Sequence, residues 1–462
     1  MAERRLDDIA AKTGGTIRQG SPGTVVRGFE IDSRLLKPGE IFFAIVAARD
    51  GHDFVPDAAA RGAAGAVVSR DGLLTDTSFP LVRVADTSQA LRNLAAAVLA
   101  ERNIPVIGIT GSIGKTTTKE FVASLLASKF RVLKSERNFN NLFGLALSIL
   151  KIGPEHDAAV LEMGMSAIGE IRTLTAVAPP DIAVITNIGP VHLEFLKTME
   201  NIAAAKKEIL EGMKPGGVAV LNGDDPFCER ISQDWPGRKV HFGLSRACDV
   251  RAETIHRLGF DGFEFDLVYG GATRRLKVPF LSDSLISNLL AALGVAEALA
   301  LPFSGLESSL HGLRPVVHRG ALLRLKGGVA VIDDSYNSNP RALESALRNY
   351  AALPAKRKIA VLGDMLELGD AAIYFHEEAG VQAARTGWDL LITIGPLGRR
   401  VAEGARGAGM AAGRTLSFPT SEAAKSEIPG LVRDGDLILV KASHGIRAEL
   451  VVETLKETLK ET

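Results

Sequence analysis

The chain has 462 residues, 46% of them hydrophobic, with 47 glycines and 5% aromatics; that exceeds one ordinary domain and supplies apolar material for roughly two to four α/β cores. Lys plus Arg and Asp plus Glu balance at 54 each, which excludes recruitment of nucleic acid or an anionic membrane by a global field and leaves anion binding to local sites. Cys228 and Cys248 are the only cysteines and form no CxxC, so neither a disulfide framework nor a thiolate metal site is indicated. The opening MAERRLDDIAAK lacks an apolar core, and no run of about eighteen uncharged apolar residues follows, so the expectation is a soluble cytoplasmic protein.

Residues 1–86 read as a small α/β unit of short strands with turns at Pro22-Gly23, Pro38-Gly39 and Asp50-Gly51. It holds two polar clusters, Asp32-Ser33-Arg34 and Arg49-Asp50-Gly51-His52. An arginine fork beside hydroxyl and backbone donors suits a diphosphate or a uracil edge; a surface ion pair and a turn would leave the same pattern. A helix over 88–101 leads into a second unit, 87–313.

There, 104–109 is a short apolar β-branched run, and from Lys115 onward Phe121, Val122, Leu125 and Leu126 fall on one helical face. The pattern predicts strand, glycine loop, helix. Gly111 and Gly114 let the amides of Ser112, Ile113 and Thr117 close around an anion at a helix N-terminus. Lys115 then reaches the β- and γ-phosphates and the Thr116 hydroxyl a Mg²⁺ ion, so the expected ligand is MgATP. The strict pattern G-x-x-x-x-G-K-[ST] would put glycine at 109; here Ile109 stands there and Gly108 comes one place early, making the loop a TGSxGKTT variant. Strands over 158–162, 181–186 and 217–221 alternate with helices over 167–178 and 200–213, implying a parallel sheet whose strand ends hold the ligand. Glu162 and Asn187 lie at such ends.

A carboxylate beside Thr116 is a natural Mg²⁺ ligand, and a helix-capping or solvated Glu162 would leave the same pattern. His192, just past a strand, could bind a second metal or be structural. Lys206, in AAAKKEIL, reads from its neighbours as a solvated helix face. Asn138, Asn140 and Asn141 in NFNNLFG could bind sugar or peptide groups or make Asx turns. Residues 250–280 form three alternating segments, a meander at a sheet edge, and helices over 284–299 and 304–311 follow. From 314 to 462 strand and helix alternate again without GxGxxG, predicting a Rossmann-like third unit that closes over the ATP. Arg319 opens that unit as a γ-phosphate clamp or a surface arginine. Polar clusters at its strand ends are DDSYNSNP, with Asp334 and Asn337, and GDMLELG.

In order, DSRLLKPGEIFFAI, DGHDF, GITGSIGKTTTKE, NFNNLFG, LEMGMSAIGEI, PDIAVITNIGPVHLE, IAAAKKEIL, LNGDDP, IDDSYNSNP, VLGDMLELG and LVKAS resemble the Mur ligases, the ATP-dependent amide-forming enzymes of peptidoglycan synthesis. DDSYNSNP with GDMLELG is most similar to the MurF type. The resemblance implies three domains: a UDP-binding one, a central ATPase and a C-terminal Rossmann-like one. It implies that MgATP phosphorylates the terminal carboxylate of a UDP-N-acetylmuramoyl tripeptide, which the amine of D-alanyl-D-alanine then attacks. It gives Lys115 the phosphates, Thr116 and Glu162 one Mg²⁺, and His192 a second. Lys206 matches a lysine carbamylated in several relatives, reversing the solvated-face reading. It further gives Arg319 the clamp, Asp334 and Asn288 the ribose and adenine, and Ser33, Arg34, Asp50 and His52 the UDP. Asn141 and Ser166 match contacts to the muramoyl substrate, and Asn337 with the GDMLELG loop the dipeptide side. A monomer with small molecules as its only partners completes the expectation. Departures are Ser284-Leu285 for a His-Asn pair, Val46-Ala47 for Lys-Gly, His318 for glycine and His444 for arginine. The competing readings are another ligase of this superfamily, MurE-like or folylpolyglutamate-synthase-like, and a MgATP-dependent switch.

Overall fold

The computed structural model describes residues 3–72, 78–136 and 139–460, so Asn138 lies outside the described residues. A small two-stranded ribbon pairs Arg4–Arg5 with Val25–Val26. Beside it, a five-stranded sheet runs Thr16–Gln19, Leu81–Arg83, Gly65–Val68, Glu40–Phe43, Gly28–Glu30, parallel except at its first strand.

A nine-stranded sheet follows, ordered Ala272–Val278, Phe263–Tyr269, Val250–Arg257, Lys239–Gly243, Val218–Asn222, Ile182–Ile185, Val106–Thr110, Ala158–Glu162, Val132–Lys134. The strands from Val132–Lys134 to Val250–Arg257 are parallel, and Phe263–Tyr269 and Ala272–Val278 add the antiparallel meander at the other edge. The parallel strands read as near-continuous apolar runs because both faces are covered. One face packs on helices Thr87–Arg102 and Met199–Glu211, the other on Lys115–Leu126 and Asp283–Ala298. Phe121 and Phe280 stack at 5.2 Å in the second layer. Gly108 belongs to the strand interior and not to the phosphate loop: a Cβ there would lie 2.8 Å from Pro180. Ile109 beside it is fully buried.

The six-stranded sheet is ordered Ala321–Leu325, Val329–Asp333, Asp436–Lys441, Arg357–Gly363, Leu390–Ile394, Thr415–Phe418, parallel except at the first. Among the described residues no helix is long and apolar enough to cross a membrane.

The last two sheets are joined by a buried polar bearing. Asn349, 1% exposed on helix Pro340–Ala351, accepts Arg257 at 2.7 Å and the Asp283 amide at 3.2 Å, and donates to Asp283 Oδ1 at 2.9 Å. Arg257 also donates to the Leu281 carbonyl at 3.1 Å, and burial holds its pKa below the usual guanidinium value. An Asn349→Ala variant leaves a half-buried guanidinium and a carboxylate short of partners. It is expected to destabilise the protein by about 1–3 kcal/mol, read as a lower denaturation midpoint, with Ser345→Ala costing less.

Candidate active site

The parallel register brings three strand ends to one edge: Glu162 pairs with Ile109, and Ile185 with Thr110. The loop between Thr110 and helix Lys115–Leu126 turns there on two glycines with left-handed φ, 149° at Gly111 and 86° at Gly114. A Cβ on Gly111 would sit 1.9 Å from Thr186 Oγ1, and one on Gly114 2.2 Å from Asn288 Oδ1, so only glycine fits either place. The loop is braced from the neighbouring strand. Ser112 N donates to the Asn187 carbonyl at 3.0 Å, and Ile113 N to Asn187 Oδ1 at 3.0 Å. Asn187 Nδ2 donates back to the Ile113 carbonyl at 2.9 Å, and Ser112 Oγ to that of Gly189 at 2.9 Å. Both ends of the Asn187 amide are engaged with Ile113, so this residue shapes the loop. Thr117 is buried behind it and Asn288, 8% exposed, faces Thr118 at 3.4 Å.

Lys115 Nζ donates to the Gly111 carbonyl at 2.7 Å. Burial pushes its pKa down and Glu162 opposes this; phosphate oxygens on the loop would oppose it further. Glu162 is 2% exposed, accepts Thr116 Oγ1 at 2.8 Å and Asn140 Nδ2 at 2.8 Å, and has no ion-pair partner among the described residues. A buried carboxylate held only by neutral donors fits a cation at that point. Among the described residues no three His, Cys, Asp or Glu cluster together as a metal site.

Two further groups approach from the six-stranded unit. Arg319 donates to Thr116 Oγ1 at 3.1 Å while its guanidinium lies 4.0 Å over the Tyr336 ring, whose other neighbour is His444 at 5.3 Å. Glu367 bonds His192 Nδ1 at 2.6 Å. Burial lowers the His192 pKa, with Glu367 acting against it and Lys115 adding to it. Lys206, 2% exposed, makes no hydrogen bond or ion pair among the described residues, and burial with nearby Lys115 drives its pKa well below the lysine value. That overturns the solvated-face reading, because the helix Met199–Glu211 turns Lys206 inward with Ala203, Ala205 and Leu210. Asp334 takes Lys441 at 2.8 Å, and burial raises its pKa. Asn337 is exposed and its Oδ1 accepts the Ser338 amide at 2.9 Å.

The other expected residues are tied up locally. Asn141 caps helix Leu142–Ile149 through Gly144 N at 2.9 Å, the Asx-type alternative. Ser166 N donates to Glu170 at 2.6 Å, ordering its own turn. Ser33 is buried. Arg34 is exposed and forks onto Asp32 at 2.9 and 2.6 Å. His52 is buried with Nδ1 on Asp50 at 2.6 Å and Nε2 accepting Ser69 N at 2.8 Å, so it braces the loop that carries Asp50. Among the described residues no hydrogen bond or ion pair joins this group to the glycine loop.

Sequence reasoning gave no role to Asn140 as the partner of Glu162 or to Tyr336 under Arg319, and it put Glu367, within GDMLELG, on the dipeptide side and not behind His192. The amide density of NFNNLFG was the available signal for the first; the others depend on the docking of distant segments.

Two family models match: the Mur ligase middle domain over residues 109–296 and the Mur ligase glutamate ligase domain over 318–444. The UDP-N-acetylmuramoyl-tripeptide–D-alanyl-D-alanine ligase of Bacillus subtilis is 34% identical over 461 residues, 99% of each chain, and that of Escherichia coli 31% identical over 92% of this chain and 93% of its own. Crystal structures of MurF from Acinetobacter baumannii (TM-score 0.90, 28% identity, 99% of both chains) and of MurF ligase from Thermotoga maritima in complex with ADP (0.82, 30%, 94% of this chain and 98% of that one) share the fold. A glycine loop, a buried carboxylate and a guanidinium delivered by the following unit thus coincide with full-length similarity, and the chain belongs to the Mur ligase family, MurF type.

Proposed function

We propose that this chain is an ADP-forming ligase that joins D-alanyl-D-alanine to the terminal carboxylate of UDP-N-acetylmuramoyl-tripeptide, in the cytoplasmic stage of peptidoglycan precursor synthesis. The observation that carries the reading is the Arg319 contact to Thr116, which sets a guanidinium of the third unit against the glycine loop of the second. Relatives bearing this activity in their names support the choice of substrates.

A carboxylate oxygen bonds the γ-phosphorus of ATP as the bond to the β-bridging oxygen breaks, giving an acyl phosphate and ADP. The amine nitrogen then bonds the carbonyl carbon, loses its proton, and phosphate departs with its oxygen. No protein nucleophile is needed; the chain supplies charge and position. Lys115 and the amides of 114–117 hold the phosphates, those of Ser112 and Ile113 being committed to Asn187, and Arg319 neutralises charge on the transferring group. Thr116 and Glu162 would hold one Mg²⁺, and His192 with a carbamylated Lys206 a second; when bound, these ions neutralise phosphate and carboxylate oxygens. Asn288 and Asp334 take the adenine and ribose, Ser33, Arg34 and Asp50 the UDP with His52 bracing Asp50, Asn141 and Ser166 the muramoyl peptide, and Asn337 the dipeptide. These roles fall to units 1–86, 87–313 and 314–462 of a monomer.

Lys206 fits carbamylation because its burial favours the neutral amine, whose lone pair bonds the carbon of CO₂ as a proton leaves. With ¹³C-bicarbonate, a carbamate resonance is expected that Lys206→Met lacks. The reading as a whole is tested by ADP release and product mass. Turnover should require both UDP-tripeptide and D-alanyl-D-alanine and yield the pentapeptide adduct; rapid ATP hydrolysis without either would refute it.

A further inference from the structure

His192 and Glu367 are 175 positions apart, yet each is a non-glycine residue in left-handed backbone conformation, with φ of 54° and 62°, and their side chains meet at 2.6 Å. The backbone is joined at the same place: Glu194 N donates to the Glu367 carbonyl at 3.4 Å, and a Cβ on Gly369 would press on Glu194 Cα at 3.2 Å. Unfavourable φ at two touching residues persists only where surrounding structure imposes it, and such positions concentrate at functional sites. One residue lies just beyond strand Ile182–Ile185 of the nine-stranded sheet, the other beyond strand Arg357–Gly363 of the six-stranded one. Nδ1 is the only imidazole nitrogen with a partner among the described residues.

We propose that Glu367 is the positioning residue for His192: by accepting the Nδ1 proton it fixes the tautomer that leaves the Nε2 lone pair free for a divalent cation, so that this cation site is complete only when the C-terminal unit is docked. The inference rests on the reading of His192 as a cation ligand. A carboxylate behind a ligating histidine orients the ring and raises its basicity, and its removal costs metal affinity rather than folding. Here the carboxylate comes from a different unit than the histidine. Cation binding and docking of the third unit therefore favour one another, and each is weaker without the other.

The test uses the full chain, with Mn²⁺ as the probe. Mn²⁺ affinity is read by electron paramagnetic resonance in the presence of a non-hydrolysable ATP analogue, and the His192 tautomer by ¹⁵N NMR without metal, using His192→Ala to identify its signal. Glu367→Ala is expected to weaken Mn²⁺ binding about tenfold or more and to move His192 away from the Nδ1–H form. Glu367→Gln, whose amide oxygen still accepts a hydrogen bond, should recover most of the affinity. The double variant should bind no more weakly than His192→Ala alone, since both changes act through one nitrogen. If His192→Ala weakens Mn²⁺ binding but Glu367→Ala stays within about twofold of the unaltered protein, the positioning role is wrong and the cation reading stands. If His192→Ala changes nothing, both are wrong. A rise in KM for the dipeptide with Mn²⁺ affinity and tautomer unaltered would overturn the proposal and assign the carboxylate to the incoming amine.

Discussion

Arg319→Ala is expected to lower kcat for ligation by about 10³-fold or more while ADP binding changes little, because an arginine set against a transferring phosphoryl group acts mainly on the transition state. Arg319 is 3.1 Å from Thr116 Oγ1 and stacked at 4.0 Å on Tyr336, so its fork is held before any ligand arrives. Arg319→Lys keeps the charge but loses the planar stack and the second donor, and should recover only about a tenth of the lost activity or less. Steady-state phosphate release with all three substrates measures both. Full activity in the lysine variant would show that charge alone suffices, and full activity in the alanine variant would remove Arg319 from the site.

Lys115→Met should likewise cost about 10³-fold in kcat, the order seen when one preorganised donor to a developing oxyanion is removed. The same substitution has an opposite expected effect on the empty protein. Burial lowers the Lys115 pKa, so the folded state holds a charge it does not favour. Because the folded pKa lies below the unfolded value, the unfolded chain binds more protons, and this group's contribution to stability rises with pH towards the unfolded lysine value. Removing the charge should therefore leave the melting temperature unchanged or raise it. Lost activity with a retained or higher melting temperature separates a functional lysine from a structural one; a lower melting temperature would mean that Lys115 holds the loop together.

Local chemistry was readable where one short segment carries the whole instruction. A β-branched run, two glycines and Lys115-Thr116-Thr117 specify strand, loop and helix without help from distant residues. Ala158–Glu162 and Leu390–Ile394 occupy the residues their apolar runs indicate. Helix Leu142–Ile149 escaped because it is apolar nearly all round and shows no periodic face, and its Asn141 cap reads equally well as a loop residue. Strand Thr415–Phe418 and helix Ser421–Leu431, with Pro429 inside it, lie at a sheet edge where the pattern is weakest. Lys206 misled because a Lys-Lys-Glu triplet carries no sign of which lysine faces inward, and the family resemblance rather than periodicity pointed to it. The same limit applies to Lys119, which is fully buried with its ammonium on the Ser135 carbonyl at 2.6 Å. Pairings such as Glu367 with His192 or Arg257 with Asn349 are set by how separately wound sheets dock, and no local pattern encodes them.

The central claim is that phosphate from ATP is transferred to the peptide carboxylate before the amide forms. UDP-tripeptide labelled with ¹⁸O in its terminal carboxylate tests this directly, by mass spectrometry of the inorganic phosphate released with D-alanyl-D-alanine. Transfer of one ¹⁸O atom from carboxylate to phosphate at each turnover is the result expected; phosphate free of label, with amide formed, would contradict it.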